Sequence, residues 1–253
     1  NLYQIGDKVC AHKGWQTHVK VKDTEPSLFK VTNLDIPLSC YLGTVGMPGR
    51  TAYFGLNKVG KPLSGETVVV SAASGAVGTV VGQLAKLQGC HVVGIAGGNE
   101  KCSYVKDVLG FDDCIDYKAG NLMDDLKNAC PKGIDIYFEN VGGDVTKAVA
   151  PLLNTGARVP ICGFISQYNA EDMFSVETPF DVLGALDPKP KHRFFVNTEW
   201  MNEWRDITDK LCNLISEDKL HYRETITEGF ENAPQALRDV LTGKNFGKQI
   251  IKI

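Results

Sequence analysis

From residue 67 onward, short apolar runs alternate with stretches whose apolar residues recur every three or four positions. The runs 67–72, 91–96, 114–116, 134–140 and 157–162 are rich in β-branched and other apolar residues and predict strands. Helical spacing fills 77–88, 100–109, 122–129 and 145–153, and a longer helix is expected over 199–216. Strand and helix in regular succession imply parallel pairing through right-handed crossovers. The strands are nearly continuous in apolar character, as a sheet covered on both faces requires. The flanks differ. Residues 8–21 and 28–31 read as short strands and loops, with a turn near Gly14 and Trp15, and 35–56 is Gly- and Pro-rich before turning helical around 51–58. The tail reads as an exposed strand over 221–228, a helix over 232–242 with Pro234 near its first turn, and a last strand over 248–253. It is expected to pack with the N-terminal strands rather than extend the main sheet. Residues 169–192 hold three prolines and little period, and read as a surface loop or lid.

Ala72-x-x-Gly75-x-x-Gly78 sits where the first strand of this series gives way to its helix. Small residues there let the backbone approach a pyrophosphate, and the helix start offers free N–H groups and a positive dipole end. Alanine replaces the first glycine of the usual fingerprint, but the strand before, the helix after and the second strand supply the context that the motif needs. The fold class expected is α/β, with a Rossmann-type doubly wound parallel sheet. An NAD site usually places Asp or Glu at the end of its second strand, for the ribose 2′-hydroxyl. Here that position falls in Ile95-Ala-Gly-Gly-Asn99; Glu100 comes late, and Lys101 follows it. A carboxylate repels a 2′-phosphate, whereas small residues followed by lysine accept one. NADPH is expected over NADH; the alternative leaves Lys101 as a solvated first-turn residue. A second string, Gly55-x-x-x-x-Gly60-Lys61, is followed by Pro62 where a phosphate loop needs Ser or Thr, and no strand precedes it.

The chain has 253 residues, enough for a substantial core in one large or two modest domains. Net charge is −3 with no basic stripe, which argues against a nucleic-acid partner. No apolar run is long enough to cross a bilayer, and no signal-peptide pattern opens the sequence. Eight scattered cysteines lack any CxxC, and five histidines lack HExxH spacing, so no metal site is expected. The thiols read as buried groups in a reducing compartment, the cytoplasm.

Five motifs then occur in order: Gly43-Thr-Val-Gly-Met-Pro-Gly-Arg-Thr-Ala-Tyr-Phe-Gly-Leu56, Ser74-Gly-Ala-Val-Gly78, Tyr137-Phe-Glu-Asn-Val-Gly-Gly143, Ile161-Cys-Gly-Phe-Ile-Ser-Gln-Tyr-Asn169 and Glu228-Gly-Phe-Glu-Asn-Ala-Pro234. Together they closely resemble the zinc-independent medium-chain dehydrogenase/reductases, nearest the prostaglandin reductase / leukotriene B4 12-hydroxydehydrogenase-like NADP-dependent enone reductases. The resemblance runs from Gly14 to the C-terminus. It implies that Gly75, Ala76, Val77 and Gly78 cradle the pyrophosphate of NADPH, and that Lys101 and Tyr117 contact the 2′-phosphate. Asn140 then reaches the nicotinamide half. Cys162, Gly163, Phe164, Ile165, Ser166, Gln167 and Tyr168 form the loop under ribose and nicotinamide. Phe195, Val196 and Asn197 belong to the segment closing over the nicotinamide, and Asn245 is a C-terminal cofactor contact. Tyr168 is also the catalytic candidate, a donor to a substrate carbonyl.

Each residue has a plainer alternative. Tyr117 can cap a strand end. Asn140 can be a left-handed turn residue before two glycines. Cys162 can be a small core residue, Tyr168 a loop aromatic over the core, and Trp15 and His18 packing groups.

By the same resemblance, residues 1–42 are the remnant of a small, N-terminally incomplete GroES-like β-rich catalytic domain. Residues 43–216 form the NADP-binding domain, and 217–253 return to the first. Family members carry a longer N-terminal portion that supplies part of the substrate cleft. The 169–192 stretch departs from the family's loop, and Arg50 occupies a variable motif position. A homodimer is implied. The reaction implied is reduction of the C=C bond of an α,β-unsaturated ketone or aldehyde, with hydride to the β-carbon and a tyrosine or ribose hydroxyl stabilising enolate charge. No metal is needed, because conjugation already makes that carbon electrophilic. The competing readings are an NADPH-binding protein without turnover, and a zinc alcohol dehydrogenase, for which the Cys and His positions offer neither a catalytic trio nor a four-cysteine lobe.

Overall fold

A computed structural model describes residues 2–33, 35–172 and 175–253. Two short strands come first: β1 (Val9–Cys10) and β2 (Phe29–Lys30) pair antiparallel. The sequence pattern predicts more strand here, but most of 11–28 is irregular and exposed, without the apolar alternation that holds a sheet. Helix α1 (Met47–Phe54) starts four residues ahead of the expected 51, because Pro48 suits a first turn. A wide turn over Gly55–Gly60 follows it.

The alternating region then forms β3 (Thr67–Ser71), α2 (Gly78–Leu87), β4 (His91–Ala96), α3 (Asn99–Asp107), β5 (Asp113–Asp116), α4 (Leu122–Ala129), β6 (Ile134–Phe138), α5 (Gly143–Val149) and β7 (Leu153–Ile161). The 169–192 stretch contains more than a loop. It holds α6 (Pro179–Gly184), begun by a Thr178–Asp181 capping box, and the first half of β8 (Lys191–Phe194). Met173 and Phe174 of that stretch lie outside the described residues. The helix expected over 199–216 is a 3-10 segment, Asn197–Glu203, leading into α7 (Trp204–Ser216).

Among the described residues the main sheet has six parallel strands in the order β5-β4-β3-β6-β7-β8. Val68 and Val70 point into one cluster, with α1, α2 and α7; Val69 points into the other, with α4, α5 and α6. Both faces are thus covered, which is why every residue of β3 is buried. Among the described residues no helix is long and apolar enough to cross a membrane.

The tail forms β9 (Glu224–Glu228), α8 (Ala233–Leu241) and β10 (Lys248–Lys252). As expected, it does not extend the main sheet. Its strands pair parallel with each other, however, and among the described residues no ladder joins them to β1 or β2. A crossover through α8 joins the two strands of that pair. The tail meets the main body instead at an isolated bridge, Gly75 with Gly247.

Candidate cofactor site

The strand order reverses between β3 and β6, and the crevice at the carboxyl ends of such strands is where doubly wound sheets bind ligands. A groove of about 870 Å³ opens there. Its floor is the ends of β3, β4, β6 and β7, and its far wall is α8 and β10.

After β3, Ala72 adopts φ +49°, the left-handed conformation that the fingerprint's glycine takes without strain. Gly75 N–H closes the turn on Ala72 O at 2.9 Å. A Cβ on Gly78 would lie 2.3 Å from that same carbonyl, so a side chain there is excluded. Among the described residues no side chain caps α2; the N–H groups of Thr79 and Val80 turn back onto the Gly75 and Val77 carbonyls, at 3.0 and 3.1 Å.

After β4, the chain passes through Gly97. A Cβ there would meet Tyr117 Cε1 at 2.8 Å and Lys118 Cε at 3.0 Å, so the phenol ring and the lysine stem lie close over the glycine. The acid at the end of β5, Asp116, accepts from Gly98 N–H (2.8 Å) and Lys118 N–H (2.9 Å). Its Oδ1 therefore fastens the turn that carries these residues. Lys101 Nζ donates to the carbonyls of Gly243 and Asn245, each at 2.7 Å. Burial, and then the nearby Lys118 ammonium, hold its pKa below the usual lysine value.

After β6, Glu139 is fully buried. Its Oε1 accepts from Val141 N–H (2.7 Å), Gly142 N–H (3.0 Å) and Ser71 Oγ (3.3 Å), and its Oε2 from the Thr146 hydroxyl. Asn140 donates its backbone N–H to Ser71 Oγ and its side-chain amide to Ser71 O, both at 2.8 Å. The left-handed residues here are Gly142 and Gly143, so Asn140 is held by β3 rather than by turn geometry.

Cys162 sits on the groove wall, its thiol pushed up to about 12 by burial and then by the Glu139 carboxylate. It is a thiol and not a nucleophile at neutral pH. Tyr168 is half exposed, and its Oη accepts Phe164 N–H at 3.3 Å. A Cβ on Gly163 would lie 2.5 Å from that oxygen, so the glycine gives the phenol its seat.

The groove thus brings together Gly75, Ala76, Val77, Gly78, Lys101, Tyr117, Asn140, Cys162, Gly163, Ile165, Ser166, Tyr168 and Asn245. Phe164 and Gln167 belong to the same loop but do not line it. Phe164 packs toward the core, and Gln167 donates to Glu177 O at 2.7 Å. Nor do Phe195, Val196 and Asn197 line it. Phe195 is buried against Phe138 and Trp200, Val196 is exposed, and the Asn197 amide donates to Met47 O and Thr51 Oγ1. Sequence reasoning missed Trp15 and the α8 face of Ala233, Ala236, Leu237 and Val240, all on the groove wall. The spacing of that face is visible in the sequence, but not what it faces. Among the described residues no three His, Cys, Asp or Glu side chains gather as a metal-ligand set.

Residues 76–210 match the family described as Zinc-binding dehydrogenase. The chain is 46% identical to NADPH-dependent curcumin reductase of Escherichia coli (strain K12), over 99% of this chain and 73% of that one. It is 47% identical to prostaglandin reductase 1 of Rattus norvegicus, over 100% of this chain and 77% of that one. The crystal structure of CurA from Vibrio vulnificus in complex with NADPH superposes with a TM-score of 0.89 at 45% identity, covering 99% of this chain and 74% of that one. The chain belongs to the medium-chain dehydrogenase/reductase family, in its zinc-independent, prostaglandin reductase-like branch.

Proposed function

We propose that the protein is an NADPH-dependent reductase of the C=C bond in α,β-unsaturated ketones and aldehydes. One observation carries the reading: β4 ends in glycines roofed by Tyr117 and Lys118, beside a lysine held by neutral carbonyls, on a groove at the switch point. The names of the relatives point the same way. Gly78 and Gly97 let the chain pack closely along the groove, since a Cβ would strike the Ala72 carbonyl at the first and the Tyr117 ring at the second.

Gly75, Ala76, Val77 and Gly78 would hold the pyrophosphate, Lys101, Tyr117 and Asn245 the 2′-phosphate end, and Asn140 with the 162–168 loop the nicotinamide end. Phe195 and Val196 would back that end from behind. Asn197 acts through them, because its own amide is engaged with α1. Bound NADPH supplies a hydride for the β-carbon, and a proton taken from water at the α-carbon completes the reduction. Tyr168 accepts a backbone N–H, so its own proton remains for a substrate carbonyl oxygen, where enolate charge develops. The apolar α8 face and Trp15 give the groove an apolar wall. Cys162, held as a thiol, takes no part in covalent chemistry.

Residues 1–42 and 217–253 would then serve the substrate side, and 43–216 the cofactor. A homodimer through β8 fits, because that strand is a sheet edge and Phe194 at its end is exposed. Eight free thiols suit a reducing, cytoplasmic setting. The test is a panel of enals and enones with NADPH and with NADH, followed by loss of reduced-cofactor absorbance. Turnover preferring NADPH is expected. Binding of NADPH without turnover on any substrate would instead leave a nucleotide-binding protein, and light scattering in the same preparation checks the dimer.

A further inference from the structure

We infer that Arg223 and Phe246, which do not line the groove, are positioning residues that set the preference for a 2′-phosphate. The inference rests on the cofactor reading above and concerns how Lys101 keeps its charge available. An ammonium has three N–H donors. Two of those on Lys101 go to the Gly243 and Asn245 carbonyls, which orient the group without neutralising it. One donor and a full positive charge remain on the groove wall.

The carboxylate that competes for that charge is Glu100, the preceding residue. Arg223 draws it aside, with Nη2 3.6 Å from Glu100 Oε1. Arg223 is itself fixed by stacking, its guanidinium carbon 3.8 Å from the centre of the Phe246 ring. The same ring lies 5.8 Å from Lys101 Nζ and edge-on to Tyr104 of α3 at 5.0 Å.

Phe246 is buried and its backbone is clasped by one side chain. Its N–H donates to Thr225 Oγ1 at 3.0 Å, and the Thr225 hydroxyl donates to its carbonyl at 2.8 Å. The next residue ties the loop to the pyrophosphate turn, with Gly247 N–H on Ser74 O at 3.2 Å. A Cβ on Gly247 would lie 1.9 Å from Arg223 O, so loop and arginine are in direct register. The carbonyls that aim Lys101 thus belong to a loop whose place is set by Phe246 and Arg223.

The test uses two nucleotides that differ only in the 2′-phosphate, 2′,5′-ADP and 5′-AMP, titrated by calorimetry. Wild type is expected to prefer 2′,5′-ADP, and Lys101→Met to lose roughly 10-fold or more of that preference, as for a charged hydrogen bond. Arg223→Gln and Phe246→Ala are expected to weaken 2′,5′-ADP by roughly three- to fivefold, the range of an exposed charge pair, with 5′-AMP affinity unchanged. Arg223→Lys retains the preference. Glu100→Gln added to Arg223→Gln restores it, because the freed carboxylate is gone. Equal loss for both nucleotides, no loss for either, or no rescue by Glu100→Gln overturns the inference. A wild type that does not distinguish the two nucleotides overturns the cofactor reading instead.

Discussion

At the scale of single residues, the glycine turn and Lys101 carry the most. Ala72 holds a left-handed backbone, which strains an L-residue by roughly 1–2 kcal/mol, while glycine would add roughly 0.5–1 kcal/mol of lost freedom. Ala72→Gly is therefore expected to raise stability by under about 1 kcal/mol and to keep cofactor affinity. Gly78→Ala places a methyl 2.3 Å from the Ala72 carbonyl. It is expected to destabilise by roughly 1–3 kcal/mol and to weaken NADPH at least tenfold. Urea denaturation and fluorescence titration read the pair, and equal behaviour of the two variants would refute the account of the turn. Lys101 sets a pH dependence. Its folded pKa lies below 10.5, the charged form being disfavoured by burial and then by Lys118. As pH rises through that lowered value the ammonium is lost, and preference for NADPH over NADH should fall earlier than an ordinary lysine titrates. The stability contribution has the opposite sign. The unfolded chain binds the proton more tightly, so in the window between the lowered pKa and 10.5 the folded state gains as pH rises. Comparison with Lys101→Met isolates both slopes, and a preference flat to the usual lysine value would remove Lys101 from the phosphate site. That lysine was legible because a missing acid and a present base are facts of residue type at a known place. Trp15 was not, since its place on the groove wall depends on what the fold sets opposite it.

At the scale of elements, the turn after β6 is built around one buried carboxylate. Glu139 Oε1 takes the N–H groups of Val141 and Gly142, and its Oε2 takes the Thr146 hydroxyl. Glu139→Gln can keep its oxygen on the two amides, because the Thr146 hydroxyl can rotate to accept from the new amide nitrogen. Loss of charge assistance should then cost about 1 kcal/mol. Glu139→Leu leaves two buried N–H groups without partners and should cost roughly 2 kcal/mol or more. It should also weaken the cofactor, since Asn140 and the 162–168 loop lean on this turn. Chemical denaturation that ranks the two variants the other way would contradict the network. The helices and strands from 67 to 161 were readable because both-faced burial gives them long apolar runs. Strand β8 was not: Lys191-His-Arg-Phe194 has no apolar alternation, and it is a strand because β7 offers it a parallel register from Arg158 to Ile161. Helix α6 is six residues long and owes its start to the Thr178–Asp181 box, a signal too local to stand out among three prolines.

At the scale of the whole molecule, the tail and the main body meet at the groove. The tail's strands pair with each other, yet its loop bonds the glycine turn through Gly247 and receives Lys101 from α3. A ligand that engages the turn and, through its 2′-phosphate, both Lys101 and Asn245 must stiffen the junction, because Asn245 belongs to the tail and the other two to the main body. A ligand that lacks the 2′-phosphate grips the main body alone, at the turn and at the nicotinamide end. The consequence is visible in hydrogen exchange. NADPH at about 100 times its Kd should add about 2.7 kcal/mol to global stability. It should also slow exchange at the Phe246 and Gly247 amides and along β10, beyond that global gain. NADH at matched saturation should slow the amides near residues 75–78 and leave the 243–247 loop nearly as in the free protein. Local opening is what exchange of such loop amides reports, so the contrast tests the junction rather than overall folding. If both nucleotides protect the loop equally, the tail is fastened by its own packing alone, and the phosphate plays no part in joining it to the sheet.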